Sequence, residues 1–415
     1  MATRHWLAGR PRQLQHLCKA LALACVMATL SPGAATAAKT KSTAPYSYYV
    51  TGTPYFEAGN PTPIQALPAP APRKVHALVL MGGGPDVDDA YRWMIQQAGI
   101  STRTGGRFVV IRTTGTDAYN PYFMYSDASN STTRPASEGY VGGAYLGLSA
   151  AETLVLSNRE AAEDPFVNAV VGSANAVWIA GGDQSTYLNF WKGTALNRTL
   201  NALLARHVPI GGTSAGANVL GQFVFSAING TVTSKQALSN PYNKYMRFDP
   251  YPFSGPSFLQ SDTLTHIEAL SNTFVDPHFD SRDRMGRLLA FTSRSTTACD
   301  GGYLSASQPY LARGIGIDVE TALLIQTGAN SSVTAQRVTN PSTTTSSAVH
   351  FLTLPVAPAT CLDGKPLTVR GVQVQRLADS ATSFNLNQWW MGLTQVNPYY
   401  VSAESGTQLP SVIDY

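Results

Sequence analysis

Charge is scarce in this chain of 415 residues. Asp, Glu, Lys and Arg supply only 13% of it against 44% hydrophobic residues, a balance that excludes a disordered polyelectrolyte and describes an ordered protein with a lightly charged surface. Cysteine is scarcer still, with four residues. No Cys/His set has metal-ligand spacing, so no metal is expected. The glycine run Gly82-Gly83-Gly84 carries neither G-K-[ST] nor G-x-G-x-x-G, which argues against a phosphate loop and leaves no cofactor expected. Internal repeats are missing. The most apolar N-terminal run, Ala20 to Leu30, is too short to span a bilayer.

What that run does resemble is an export signal. Arg4, Arg10, Arg12 and Lys19 precede or edge it, and Ala35-Thr36-Ala37 follows as an A-x-A site. The pattern predicts a signal peptide over residues 1–38, cut near Ala37 or Ala38, and a secreted or periplasmic protein with no membrane contact after cleavage. Removing it takes away four of the 29 basic residues and none of the 25 acidic ones, leaving 25 against 25. A neutral mature chain without a basic, aromatic-interleaved patch is no nucleic-acid binder. Only Cys299 and Cys361 remain, and a lone pair in an exported chain predicts a disulfide closing a long loop.

Along the mature chain, residues 39–73 form a polar, Pro-rich lead expected to run extended over the surface, with order starting at Lys74. From Val75 to Gln326, buried strand-like runs alternate with helical periods. This predicts a catalytic α/β domain over 74–326 with a mostly parallel sheet. Residues 327–415 show β-type alternation and are expected as a small C-terminal β extension.

The chemistry centres on Gly212-Thr213-Ser214-Ala215-Gly216. Here G-x-S-x-G follows a strand, and a helix is expected from Ala215 to Gln222. That is the pattern of a nucleophile elbow, where a sharp turn holds a serine Oγ clear of the backbone. Of the mature chain's histidines, His76 and His350 lie in apolar runs, His207 precedes the wrong end of the elbow strand, and His266 reads as helical. His278 in Asp276-Pro277-His278-Phe279 follows a strand-like run, where a sheet delivers residues to its carboxyl edge. Arg282, Arg284 and Arg287 come next and could hold a carboxylate of an acidic substrate. Gly182, after the strand ending at Ala180, and Ala215 are candidates to offer backbone N–H groups to an oxyanion.

Four blocks in order, IAGGDQ, GGTSAGANV, DPHF with RDRMGRLL, and GIGIDVETALLI, resemble the cyanophycinase and dipeptidase E family of serine peptidases. The resemblance implies a three-layer α/β fold of the class I glutamine-amidotransferase-like (flavodoxin-like) type and cleavage beside aspartyl residues. By position it makes Ser214 the nucleophile and His278 the base, and puts Gln184, Arg282, Arg284 and Arg287 at substrate-binding positions. Two departures stand out. Pro277 replaces the Gln of the family's D-Q-H-F block. The acid of its G-I-D-E block, a candidate third triad member, is displaced by one residue to Glu320 in Gly316-Ile317-Asp318-Val319-Glu320, which on a strand would turn it to the other face. Glu320, Asp318, another acid or a plain Ser-His dyad all remain open.

The expected activity is therefore that of an exported serine peptidase acting on peptide or polyamide substrates rich in Asp through an acyl-enzyme. The alternatives are a catalytically lapsed peptide-binding homologue and an α/β-hydrolase-type esterase with Asp262 and His278 as its acid and base. A homodimer is the assembly left open.

Overall fold

Apolar alternation along the strands sorts the side chains onto two sheet faces. The computed structural model describes residues 44–69, 76–126, 132–135, 138–253, 270–328, 330–393 and 396–410. The expected signal peptide, Asp262 and His266 lie outside them. In chain order the strands begin with β1 (Tyr46–Gly52), β2 (Ala77–Met81), β3 (Arg107–Arg112), β4 (Ala150–Leu156), β5 (Ala176–Ile179) and β6 (Ile210–Thr213). Then come β7 (Val224–Phe225), β8 (Phe248–Asp249), β9 (Thr273–Asp276), β10 (Arg313–Ile317) and β11 (Ala322–Thr327). The last are β12 (Val333–Val338), β13 (Val349–Thr353), β14 (Val369–Leu377), β15 (Ser383–Asn385), β16 (Tyr399–Glu404) and β17 (Thr407–Leu409).

The main sheet has nine strands in the order β1-β4-β3-β5-β6-β2-β11-β12-β15. Its centre, β4-β3-β5-β6-β2, is parallel. These strands are buried on both faces, which is why they read as continuous apolar runs. Leu78, Leu80, Val109, Ile111 and Ile179 pack on one face with the helices Pro165–Gly172 and Ala195–Ala205. Val79, Met81, Phe108, Val110 and Trp178 pack on the other with the helix Asp88–Gln97. This is the expected three-layer α/β arrangement.

Two expectations change. The Pro-rich lead is not merely draped over the surface, because β1 lies within it and pairs antiparallel with β4. Its Tyr46-Ser47-Tyr48 alternation puts both tyrosines inward against Phe166, at ring centroid distances of 5.3 and 5.0 Å. The Tyr48 hydroxyl donates to Glu152 Oε2 at 2.8 Å, and Glu152 is itself held by Arg107 at 2.6 Å. A buried carboxylate needs such partners, and the lead supplies one of them.

The second change concerns the C-terminal residues. The strands are there as expected, but no break in pairing falls at residues 326 and 327. β12 and β15 extend the main sheet, while β13, β14, β16 and β17 complete a six-stranded second sheet, β17-β16-β14-β13-β10-β9. Strands β9 and β10 bury all or nearly all of their residues, so the later strands and the helix Met285–Arg294 form the core around them. Among the described residues no helix is long and apolar enough to cross a membrane.

The expected disulfide Cys299–Cys361 is formed, with both cysteines buried. It ties the segment after the helix Met285–Arg294 to the connection between β13 and β14. Its ends lie 62 residues apart, so opening the loop adds about 4 kcal/mol of chain entropy to the unfolded state in the loop-closure view. Replacing both cysteines by Ser is expected to lower the thermal midpoint by several degrees under non-reducing conditions. Identical melting curves for the two proteins would contradict this role.

Candidate active site

The elbow sits at the carboxyl end of β6, between β5 and β2. Ser214 has φ 53° and ψ −120°, a conformation an L-residue adopts only when its surroundings impose it, at about 1–3 kcal/mol. The neighbours show how. A Cβ on Gly212 would stand 2.5 Å from the Gly216 backbone, and one on Gly216 would stand 2.0 Å from the Ile179 carbonyl. Both positions therefore admit only glycine. The helix that follows is shorter than expected, Ala215–Asn218. Its dipole is small, so what it offers an anion is chiefly its free first-turn N–H groups.

His278 comes from the second sheet, two residues beyond β9. Its φ is 51°, and its N–H donates to the Gly82 carbonyl at 2.8 Å. The Ser214 N–H donates to the preceding carbonyl, Met81, at 3.0 Å. Hung from consecutive carbonyls, the two side chains meet with Ser214 Oγ and His278 Nε2 2.7 Å apart. The imidazole lies over Gly83, where a Cβ would come within 2.4 Å of the ring. This is the role of the glycine run after β2: it leaves room for the ring of His278. Burial, with the charges of Arg282 and Arg284, lowers His278 to about 4. The ring is thus neutral at pH 7, and with its proton on Nδ1 it accepts the serine hydroxyl.

The acids divide differently from expectation. Asp318 is fully buried, with Oδ2 accepting from Ser346 Oγ and the Ala348 N–H at 2.8 Å each, and Oδ1 lying 3.6 Å from His350 Nε2. Glu320 is in a turn after β10 and not on a strand. Its φ is 56° and its N–H donates to Gly83 at 2.9 Å, so the extra residue is absorbed by the turn. Among the described residues neither carboxylate hydrogen-bonds to His278. The acid that raises the proton affinity of His278 is Asp276.

Asp276 also decides the fate of the arginines. Arg287 clamps its carboxylate with Nε, at 2.8 Å, and Nη2, and Arg284 adds Nη1 at 3.2 Å and reaches the Pro277 carbonyl. Both arginines are buried, with Arg287 also donating to Thr231 and Val232. Beyond the substrate contact expected of them, both neutralise a buried carboxylate next to the base and pin the loop that carries it. Arg282 alone of the three is exposed. Gln184 opens the helix Gln184–Trp191 and donates to the Phe225 carbonyl at 3.2 Å.

On the oxyanion side, Gly181 faces Ser214, with a built Cβ 3.4 Å from the serine Cβ, whereas Gly182 faces the Tyr187 hydroxyl. Gly181 therefore joins Gly182 and Ala215 among the candidate donors. Sequence reasoning also passed over Asn218, whose Nδ2 donates to Val275 at 2.9 Å and ties the elbow helix to β9. A signal existed for Asp276, an acid ending a buried β-branched and aromatic run with Arg following 8 and 11 residues later. Among the described residues no group of three or more His, Cys, Asp or Glu could hold a metal ion.

Fold and site together define an α/β protein with a nucleophile elbow and a Ser-His pair at the carboxyl edge of its parallel strands. Parts of the chain are similar to known proteins. Residues 128–240, which include the elbow, match peptidase family S51. Cyanophycinases of Trichormus variabilis and of a Nostoc species are each 25% identical over 193 residues, 45% of this chain and 53% of theirs. The chain thus spans about half the length of the curated relatives it matches. A peptidase structure from an acI-B1 actinobacterium has a TM-score of 0.42 and 18% identity, covering 75% of this chain and 97% of that one. Over these stretches the chain is similar to peptidase family S51 and to cyanophycinases.

The electrostatics of the pair can be checked without turnover. By NMR, the His278 ring is expected to titrate near pH 4, well below the usual value of about 6.5. Because the Arg282 charge depresses it, Arg282→Ala should move the midpoint up. A ring titrating near 6.5 in both proteins would contradict the site's electrostatics.

Proposed function

We propose that this protein is a serine-type peptidase that works through an acyl-enzyme on Ser214. The observation that carries the reading is the 2.7 Å contact between Ser214 Oγ and neutral His278 Nε2, at a serine whose backbone only an elbow of this shape sustains. In the proposed sequence His278 accepts the hydroxyl proton as Oγ attacks the scissile carbonyl. The oxyanion faces backbone N–H groups at Ala215 and in the Gly181-Gly182 segment. The imidazolium then gives its proton to the leaving amine, the C–N bond breaks, and water resolves the ester by the same route.

We further propose that the substrate is acidic, with the bond cut lying beside an aspartyl residue as a peptide or isopeptide. Two observations support this. Arg282 is the exposed cation beside the base. In addition, cationic neighbours add to burial in weakening His278 as a base, so a substrate carboxylate that screens them raises its proton affinity when the complex forms. On this view the acid limb of kcat/KM, which reports the free enzyme, lies below that of kcat, which reports the complex. Export is the matching proposal for location, supported by the N-terminal pattern and by the buried disulfide.

The lapsed-homologue reading draws on the lack of an acid hydrogen-bonded to His278 among the described residues. A fluorophosphonate probe separates the two: the proposal expects labelling of native protein at Ser214 and none of Ser214→Ala. With β-aspartyl-arginine polymer and Asp-containing dipeptides, Ser214→Ala and His278→Ala are each expected to lose about 10³-fold or more in turnover. Equal turnover by native protein and Ser214→Ala would sink the assignment. Hydrolysis of fatty-acyl esters in preference to aspartyl peptides would favour the esterase.

A further inference from the structure

Beyond the Ser-His pair, the helix Gln184–Trp191 leads to a cavity. Gln184, Leu188 and Lys192 follow at four-residue spacing, so they share one side of this helix and its C-terminal cap. Lys192 lies about 12 Å along the axis from Gln184 at 1.5 Å per residue. The Gln184 side chain donates to Phe225 in the hairpin β7-β8. The next residue, Ser226, lines a cavity of about 640 Å³ together with Leu188, Lys192, Lys244, Arg247 and Arg294.

The lining is strongly cationic. Lys192, Lys244, Arg247 and Arg294 face one acid, Asp249, which is paired with Lys192. Lys244 and Arg247 are exposed. Arg294 is built in: it is 2% exposed, its Cζ lies 3.8 Å from the centre of the Tyr242 ring, and its Nη2 donates to the Tyr251 hydroxyl at 3.0 Å. Its Nε, however, has no hydrogen-bond partner among the described residues. The same holds for the hydroxyl of Ser226, a residue only 5% exposed. A buried hydroxyl and a buried guanidinium N–H left unsatisfied are costly unless something else completes them. The charge such a concave pocket presents, with Lys244 and Arg247 exposed in its lining, is matched by an oxyanion.

We propose that this cavity is a remote subsite that binds a carboxylate of an acidic peptide whose scissile bond lies at Ser214. The inference rests on the peptidase reading, and deepens it by placing substrate recognition on the face of Gln184–Trp191 and the β7-β8 hairpin. It also adds solvent-facing cations to Arg284 and Arg287, which lie buried against Asp276.

The test uses full-length Ser214→Ala, so binding is read without turnover. Calorimetric titration is run with a blocked tetra-aspartate peptide, the matching tetra-asparagine peptide and inorganic phosphate. Tetra-aspartate is expected to bind at least tenfold more tightly than tetra-asparagine. Adding Lys244→Gln with Arg247→Gln, both at exposed positions, should weaken that binding roughly tenfold. Ser226→Ala, which removes only a hydroxyl, should weaken it severalfold. Equal affinity for the two peptides, or tetra-aspartate binding unchanged by the double substitution, overturns the proposal. So does phosphate binding that the double substitution abolishes while tetra-aspartate binding persists, since the cavity would then serve a free anion. Fluorophosphonate labelling of the native protein keeps the two readings apart. Labelling without tetra-aspartate binding sinks the subsite alone, and binding without labelling leaves an acidic-peptide receptor that is not a peptidase.

Discussion

The contact between Ser214 and His278 spans two sheets, and the rest of the structure is arranged to keep it short. Ser214 ends β6 of the main sheet, and His278 follows β9 of the second. Neither sheet alone could fix their separation. The common reference is the end of β2, whose successive carbonyls at Met81 and Gly82 receive the N–H groups of Ser214 and His278. Asn218 adds a third tie by donating to Val275. A bridge between Phe223 and Phe274 links the segment after the elbow to β9. The glycines make these approaches feasible, Gly212 and Gly216 within the elbow and Gly83 beneath the imidazole.

A second constraint stands behind the first. Asp276 is completely buried one residue before Pro277-His278, and an ionised carboxylate there is tolerable only with its lone pairs filled and its charge opposed. Arg284 and Arg287 do both. Losing one partner of such a cluster strands a charge and typically costs about 3–5 kcal/mol. The cluster therefore holds the loop of the base firmly. It also has an electrostatic effect: Asp276 raises the proton affinity of His278, while the two guanidiniums and Arg282 lower it.

The parallel core and the elbow were legible in the sequence because both depend on local rules. Continuous apolar runs mean strands buried on both faces, and G-x-S-x-G after such a run means a turn that bulky neighbours would break. His278 was found the same way, as a histidine at the end of a strand. What failed depended on partners distant in sequence. The three arginines formed one local cluster, but burial separated Arg284 and Arg287 from Arg282, and burial is set by Asp276 and the packing of Met285–Arg294. The lead looked featureless because its composition hid a seven-residue strand whose partner lies a hundred residues on. Glu320 was judged by strand periodicity, which lapses at a turn with positive φ.

If the substrate is acidic, as proposed, the burial of Arg284 and Arg287 against Asp276 bears on where selectivity comes from. A carboxylate cannot recruit donors already bound to Asp276 without unmaking the cluster that positions the base. On the proposed reading, selectivity draws on cations still facing solvent, Arg282 beside the catalytic pair and the group around Lys244 and Arg247 beyond the first helix after Gly182. Arg282 depresses the basicity of His278, so an acidic group bound there would be felt at the base as well as at its own site. An uncharged peptide would leave those charges unscreened, whereas an acidic one would screen them and strengthen the base. Charge would thus be read partly through the chemical step, and discrimination by kcat would accompany discrimination by binding.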